Sequence, residues 1–152
     1  MMRYQIVALA LLAATLTSQT NADEPNIEQE IKILKLDVLK KEDWKNVGYK
    51  TPQATAQTFL WATREGDVDV LLKCFAPDTT PKFADFDKDR MKEAANAATA
   101  FQPLATRTKN DKQLALKFRV EGWQEKPFEH LFKLVDGEWK LDGKSSTRTA
   151  DW

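Results

Sequence analysis

Residues 128–142 read FEHLFKLVDGEWKLD. Asp136-Gly137 sits between two alternating segments, a pairing that suits the left-handed backbone of a tight hairpin turn. A two-residue turn sets the register: Leu134 faces Trp139, and Phe132 faces Leu141. Phe128 and His130 share that side of the sheet. Lys133, Glu138 and Lys140 point the other way, with Leu131 and Val135 as apolar exceptions. Upstream, Leu114, Leu116, Phe118 and Val120 alternate with Ala115, Lys117, Arg119 and Glu121. Period two with one apolar side is the pattern of a half-buried antiparallel strand. A weaker strand around 104–109 precedes it through a turn at Asn110-Asp111.

Before these strands the period is that of helices. Thr51-Pro52 opens the clearest one: a threonine hydroxyl can cap free N–H groups, and proline suits the first helical position. Ala56, Phe59, Leu60 and Thr63 fall on one side, with Ala54 and Trp61 on another. A helix apolar over more than half its girth is sandwiched or borders a cavity. Gly66-Asp67 ends it and caps a second helix expected over 68–75, which Pro77 stops. Asp87 is expected to cap a third, running to about Phe101, with Phe86 and Met91 as a hydrophobic staple. The alanine-rich run 94–100 supports it, and Pro103 ends it. Helices followed by a meander of strands imply an α+β fold: three helices packed on an antiparallel sheet of three to five strands.

At the ends of the chain the patterning is different. Arg3, the apolar run Ile6–Leu16 and the small-residue sequence Thr20-Asn21-Ala22 follow the order of a secretory signal peptide. The run is about eleven residues, short of the roughly 20 that span a bilayer. Residues 1–22 are therefore expected to be an export signal, with retention as an anchor as the alternative. The chain is expected in the periplasm or secreted, without stable membrane insertion once the signal is removed. Residues 23–50 read as a tether or short helix, 51–143 as the core domain, and 144–152 as a polar tail.

Composition narrows the function classes. Lys plus Arg and Asp plus Glu number 23 each, and removal of Arg3 leaves 22 against 23. The lysines are interleaved with acids, so no basic stripe for nucleic acid is expected. With one cysteine, Cys74, and one histidine, His130, neither an internal disulfide nor a His/Cys zinc site is expected. No phosphate-cradling glycine loop or cofactor motif is present, so no cofactor and no metal is expected.

Phe59-Leu60-Trp61-Ala62, Gly66-Asp67, Leu71-Leu72 to Phe75-Ala76-Pro77, and the hairpin 132–143 together resemble the nuclear-transport-factor-2-like superfamily. That group includes ketosteroid isomerases and polyketide-cyclase-like proteins, and the chain is similar to its exported bacterial members. The resemblance covers about 51–143. It implies a cone-shaped, cystatin-like architecture whose curved sheet wraps a long helix around a pocket. The superfamily's Tyr-and-Asp oxyanion site and paired histidines have no counterparts here, so its catalytic roles do not carry over.

His130 is the candidate for chemistry. On an apolar face beside Phe128 and Phe132, an imidazole can act as general acid or base, or simply donate one hydrogen bond. Phe59, Trp61, Phe118, Phe132 and Trp139 are, with His130, the candidate pocket residues, and Trp123 is a further large apolar wall; all are equally the filling of a small core. The expected function is non-catalytic binding of a small apolar ligand or a partner protein. A cofactor-free lyase, isomerase or hydrolase using His130 is the first alternative. A homodimer or interaction module using the outer sheet face is the second.

Overall fold

A computed structural model describes residues 29–81 and 88–152. The elements run β1 (Ile31–Ile33), β2 (Leu39–Lys40), α1 (Pro52–Glu65), α2 (Val68–Lys73), α3 (Lys88–Ala97), β3 (Ala100–Asn110), β4 (Gln113–Glu121), β5 (Phe128–Val135), β6 (Glu138–Leu141) and β7 (Arg148–Thr149). All strands belong to one sheet in the order β1-β3-β4-β5-β6, with β2 also on β3 and β7 on β5. Every pairing among them is antiparallel.

The hairpin follows the turn chemistry. Asp136 and Gly137 have φ of 50° and 78°, both left-handed, as a two-residue turn of this hand requires. Phe132 then pairs with Leu141 and Leu134 with Trp139. On the other side of β5, Phe132 meets Leu114, His130 meets Leu116 and Phe128 meets Phe118. One face therefore carries three adjacent apolar rows, and Leu116, Val120 and Phe132 on it are fully buried.

α1 is held from both ends and along its length. Thr51 accepts from the Ala54 amide at 3.1 Å, and Gly66 closes the helix at φ 71°. The buried Thr58 hydroxyl donates to the Gly48 carbonyl at 3.1 Å and accepts from the Val47 amide at 3.1 Å. Thr55 bonds the Trp139 carbonyl, tying α1 to β6. These threonines replace the water their hydroxyls would otherwise lose on burial.

The fold-class expectation needs correction. The sheet has seven strands among the described residues, not three to five, and it dominates three helices of 14, 6 and 10 residues. The additional strands lie in stretches read as tether or short helix and as polar tail. β1 and β2 are two to three residues long, and Ile31 and Ile33 are 51% and 67% exposed. Backbone pairing to β3 forms them with Leu39 alone partly buried against the core, and such short strands leave no alternation to read. β3 is longer than the strand expected at 104–109, and α3 ends at Ala97 rather than near Phe101. Ala100 and Phe101 pair with Glu121 and Val120, and Phe101 is buried on the sheet. Sheet pairing overrides the helix propensity of the alanine run. Pro103 sits inside β3, where the register shifts before Ala105, a bulge that accommodates a missing N–H. The signal-peptide expectation for residues 1–22 and the caps at Phe86 and Asp87 lie outside the described residues. No helix among the described residues is long and apolar enough to cross a membrane.

The tail covers the outer face of the sheet. Glu129, 3% exposed, pairs there with Arg107 at 3.3 Å and with Arg148, and accepts from the Trp152 indole N–H. The Arg107 guanidinium lies 4.7 Å from the Trp152 ring centre. A carboxylate buried this deeply is tolerated because cations and an N–H donor surround it.

A Cβ at Gly122, φ 94°, would lie 1.8 Å from the Ala97 carbonyl oxygen, whereas one at Gly137 meets nothing. Gly137→Ala should cost about 1–2 kcal/mol from its left-handed backbone alone. Gly122→Ala should cost clearly more, because the α3–β3 connection must also shift; urea melts of the two variants check the order. Glu129→Ala leaves Arg107 half-buried without its anion and should destabilise by about 3 kcal/mol. Glu129→Gln, which keeps the indole bond, should lose less in the same melts.

Candidate functional site

A cavity of about 400 Å³ lies between α1, α3 and the apolar face of the sheet. Protein interiors are normally close-packed, with few voids larger than a water molecule. A space of this size falls in the range of small-molecule sites. Ala56, Phe59, Leu60 and Thr63, the four residues that helical spacing aligns on one side of α1, all line it. The sheet contributes Phe101, Phe118, Phe128, His130, Phe132 and Leu141.

The aromatic wall is internally braced. Phe118 stacks on Phe128 with centroids 5.8 Å apart, and Trp123 meets Phe128 edge-on at 5.8 Å. Phe101 meets Phe118 at 5.9 Å, and Phe59 meets Phe75 edge-on at 5.9 Å. Trp123 is further fixed by its indole N–H, which donates to the Ala94 carbonyl of α3 at 2.9 Å. Such offset and edge-on pairs hold rings in place beyond simple burial.

Of the sequence-derived candidates, Phe59, Phe118, His130 and Phe132 come together at the cavity. Trp61 and Trp139 do not line it; they are partly buried and pack against the core cluster. Trp123, which the sequence offered as a large apolar wall, also lines it, whereas Phe128, Phe101 and Phe75 are wall residues that sequence reasoning left out of the pocket. Phe128 and Phe101 had a usable signal: strand alternation places Phe128 with His130 and Phe132, and Phe101 follows once β3 is extended by three pairs, through Pro103 and Gln102. Trp123 follows Gly122, whose positive φ of 94° shapes the turn after β4.

His130 is 8% exposed, and both ring nitrogens are engaged. Nε2 lies 3.1 Å from the Asp142 carbonyl oxygen and Nδ1 lies 2.8 Å from the Thr147 hydroxyl. A carbonyl can only accept, so Nε2 carries the proton and Nδ1 accepts from Thr147. Burial lowers the His130 pKa below its ordinary 6.5, against the raising effects of the Asp142 carbonyl bond and the Asp142 charge. A neutral imidazole with both nitrogens paired fits a histidine that joins β5 to the segment 142–147. Cys74 is fully buried, its thiol pushed up to about 12 mainly by desolvation, and its sulfur lies 3.4 Å from the Val70 carbonyl oxygen. A thiol held protonated in this way is a poor nucleophile. No group of three or more His, Cys, Asp or Glu among the described residues could hold a metal ion.

No family model and no curated protein matches the chain. Among solved structures it is similar to a SEC-C motif containing protein from Rhodopseudomonas palustris, determined in solution. The TM-score is 0.47 at 17% identity, covering 67% of this chain and 80% of that one. The expected membership of the nuclear-transport-factor-2-like superfamily is corrected: no family model matches the chain, and the sheet has seven strands among the described residues rather than three to five. The helix and hairpin motifs that carried it are short and recur wherever capped helices precede an Asp-Gly hairpin. The comparisons do not bear on the export reading of residues 1–22.

The protonation state of His130 carries a pH consequence. Its folded pKa is depressed, so the unfolded chain takes the proton first as pH falls below about 6.5. The stability that neutral His130 contributes is complete above that value and is lost as pH falls toward its folded pKa. Urea midpoints measured between about pH 7.5 and about pH 5 should therefore fall more steeply for the native protein than for His130→Gln. Parallel curves would remove the assignment.

Proposed function

We propose that this protein binds a small, mostly apolar molecule in the cavity between α1, α3 and the sheet. The observation that carries the proposal is an aromatic-walled space of about 400 Å³ in a domain this small. Leaving such a space beside Leu60, Phe101 and Phe132 costs stability, since cavity lining atoms forfeit their packing partners. A ligand restores those contacts and stabilises the folded state by mass action. Rings braced against one another keep the walls apart, so the site needs little ordering on binding.

Non-catalytic binding is the reading the geometry favours. His130 has neither nitrogen free to exchange a proton with a bound molecule, and no carboxylate lines the cavity among the described residues. General acid–base chemistry needs a titrating group within hydrogen-bond reach of the substrate.

The test is a fluorescence titration with the neutral dye N-phenyl-naphthylamine, which brightens in apolar surroundings. The native protein should give a saturable rise at one dye per chain and a higher Tm. Ala56→Phe puts a ring into the cavity from α1; it should abolish the rise while the protein still melts cooperatively. Overpacking at this site should cost no more than about 1–3 kcal/mol. A dye signal equally strong in Ala56→Phe, or none in the native protein, would refute the site.

A further inference from the structure

The polar groups around the cavity share one property. Among the described residues, its side-chain donors are all engaged. Thr63 donates its hydroxyl proton to the Phe59 carbonyl at 2.8 Å. Trp123 donates to the Ala94 carbonyl, and His130 Nε2 to the Asp142 carbonyl. Thr147 donates to His130 Nδ1 at 2.8 Å, because the Nε2 proton leaves that nitrogen only able to accept. Each threonine oxygen keeps acceptor capacity, since a hydroxyl has two lone pairs and one proton. No lysine, arginine, aspartate or glutamate lines the cavity among the described residues.

Resting on the cavity as a binding site, we infer that its ligand class is neutral hydrocarbon-rich molecules bearing a hydrogen-bond donor, such as a phenol, an alcohol or an aromatic N–H. The donor is received by the hydroxyl oxygen of the buried Thr63, in α1, or of the exposed Thr147, before β7. A carboxylate would face these oxygens lone pair to lone pair, and at the buried Thr63 no cation among the described lining residues offsets its lost hydration. A ketone or ether would bring a second acceptor and gain nothing from either threonine. Loss of a site's hydrogen-bond complement is discriminated more sharply than loss of a methylene.

Calorimetric titration of the native protein near neutral pH with naphthol, its methyl ether and the corresponding naphthoate separates these cases. Naphthol should bind about three- to tenfold more tightly than the ether, and naphthoate should not bind measurably. The double variant Thr63→Val with Thr147→Val should bring naphthol down to the affinity of the ether. Its unchanged affinity for the ether reports that the cavity is intact. Ether binding as tight as naphthol, or naphthoate binding at all comparably, overturns the donor class while leaving the cavity as a binding site. Failure of all three probes overturns both readings. If the double variant does not fold, the comparison of probes on the native protein still decides.

Discussion

The arrangement of this molecule depends on one registration: β4, β5 and β6 aligned so that Phe118 meets Phe128, Leu116 meets His130, and Leu114 and Leu141 flank Phe132. Side chains alternate with period two, so a slip of one residue on β5 would send all of these rings to the opposite face. Glu129 and Leu131 would then face α1. The Asp136-Gly137 turn, with both residues left-handed, is what forbids that slip at the β5–β6 end. At the other edge, Glu129 is held among Arg107, Arg148 and Trp152 on the outer face. A buried carboxylate with three partners on one side of the sheet cannot change sides without losing all of them. The two devices act on the same strand and specify the same register.

That register creates a concave problem for the helices. α1 presents Ala56, Phe59, Leu60 and Thr63 to the sheet, and its own position is set elsewhere, by Thr55 on β6, Thr58 on Gly48 and Arg64 on the Lys41 and Trp44 carbonyls. The helix is thus suspended from polar anchors on its flanks. It does not settle fully onto the rings of β4 and β5, and the cavity is the space left between. Among the described residues, Thr63, Trp123, His130 and Thr147 in the walls all spend their protons on protein acceptors.

The histidine illustrates how surroundings decide chemistry. Its place on the apolar face follows from strand alternation. Its lack of a free nitrogen follows from the turn after β6, which returns Asp142 and Thr147 to either side of the ring. An imidazole in this setting serves as a crosslink between β5 and the tail, and its proton stays where the Asp142 carbonyl holds it.

Residue pattern alone determined the local elements whose signals are short-range. These are the capped α1, the Gly66-Asp67 joint into α2, alternation in β4 and β5, the Asp-Gly hairpin with its register, and the aromatic composition of one sheet face. Capping, left-handed turns and side-chain periodicity act within a few residues, so they are written locally. Only the tertiary structure decided the rest. β1, β2 and β7 exist because neighbouring strands offer unpaired backbone groups, and Ala100 and Phe101 leave helix for sheet because Glu121 and Val120 are waiting opposite. Trp123 and Phe75 reach the cavity while Trp61 and Trp139 do not, because ring direction depends on turns and helix placement far away in sequence. Long-range pairing and the depth of helix seating are properties of the whole packed chain, and no window of a dozen residues contains them.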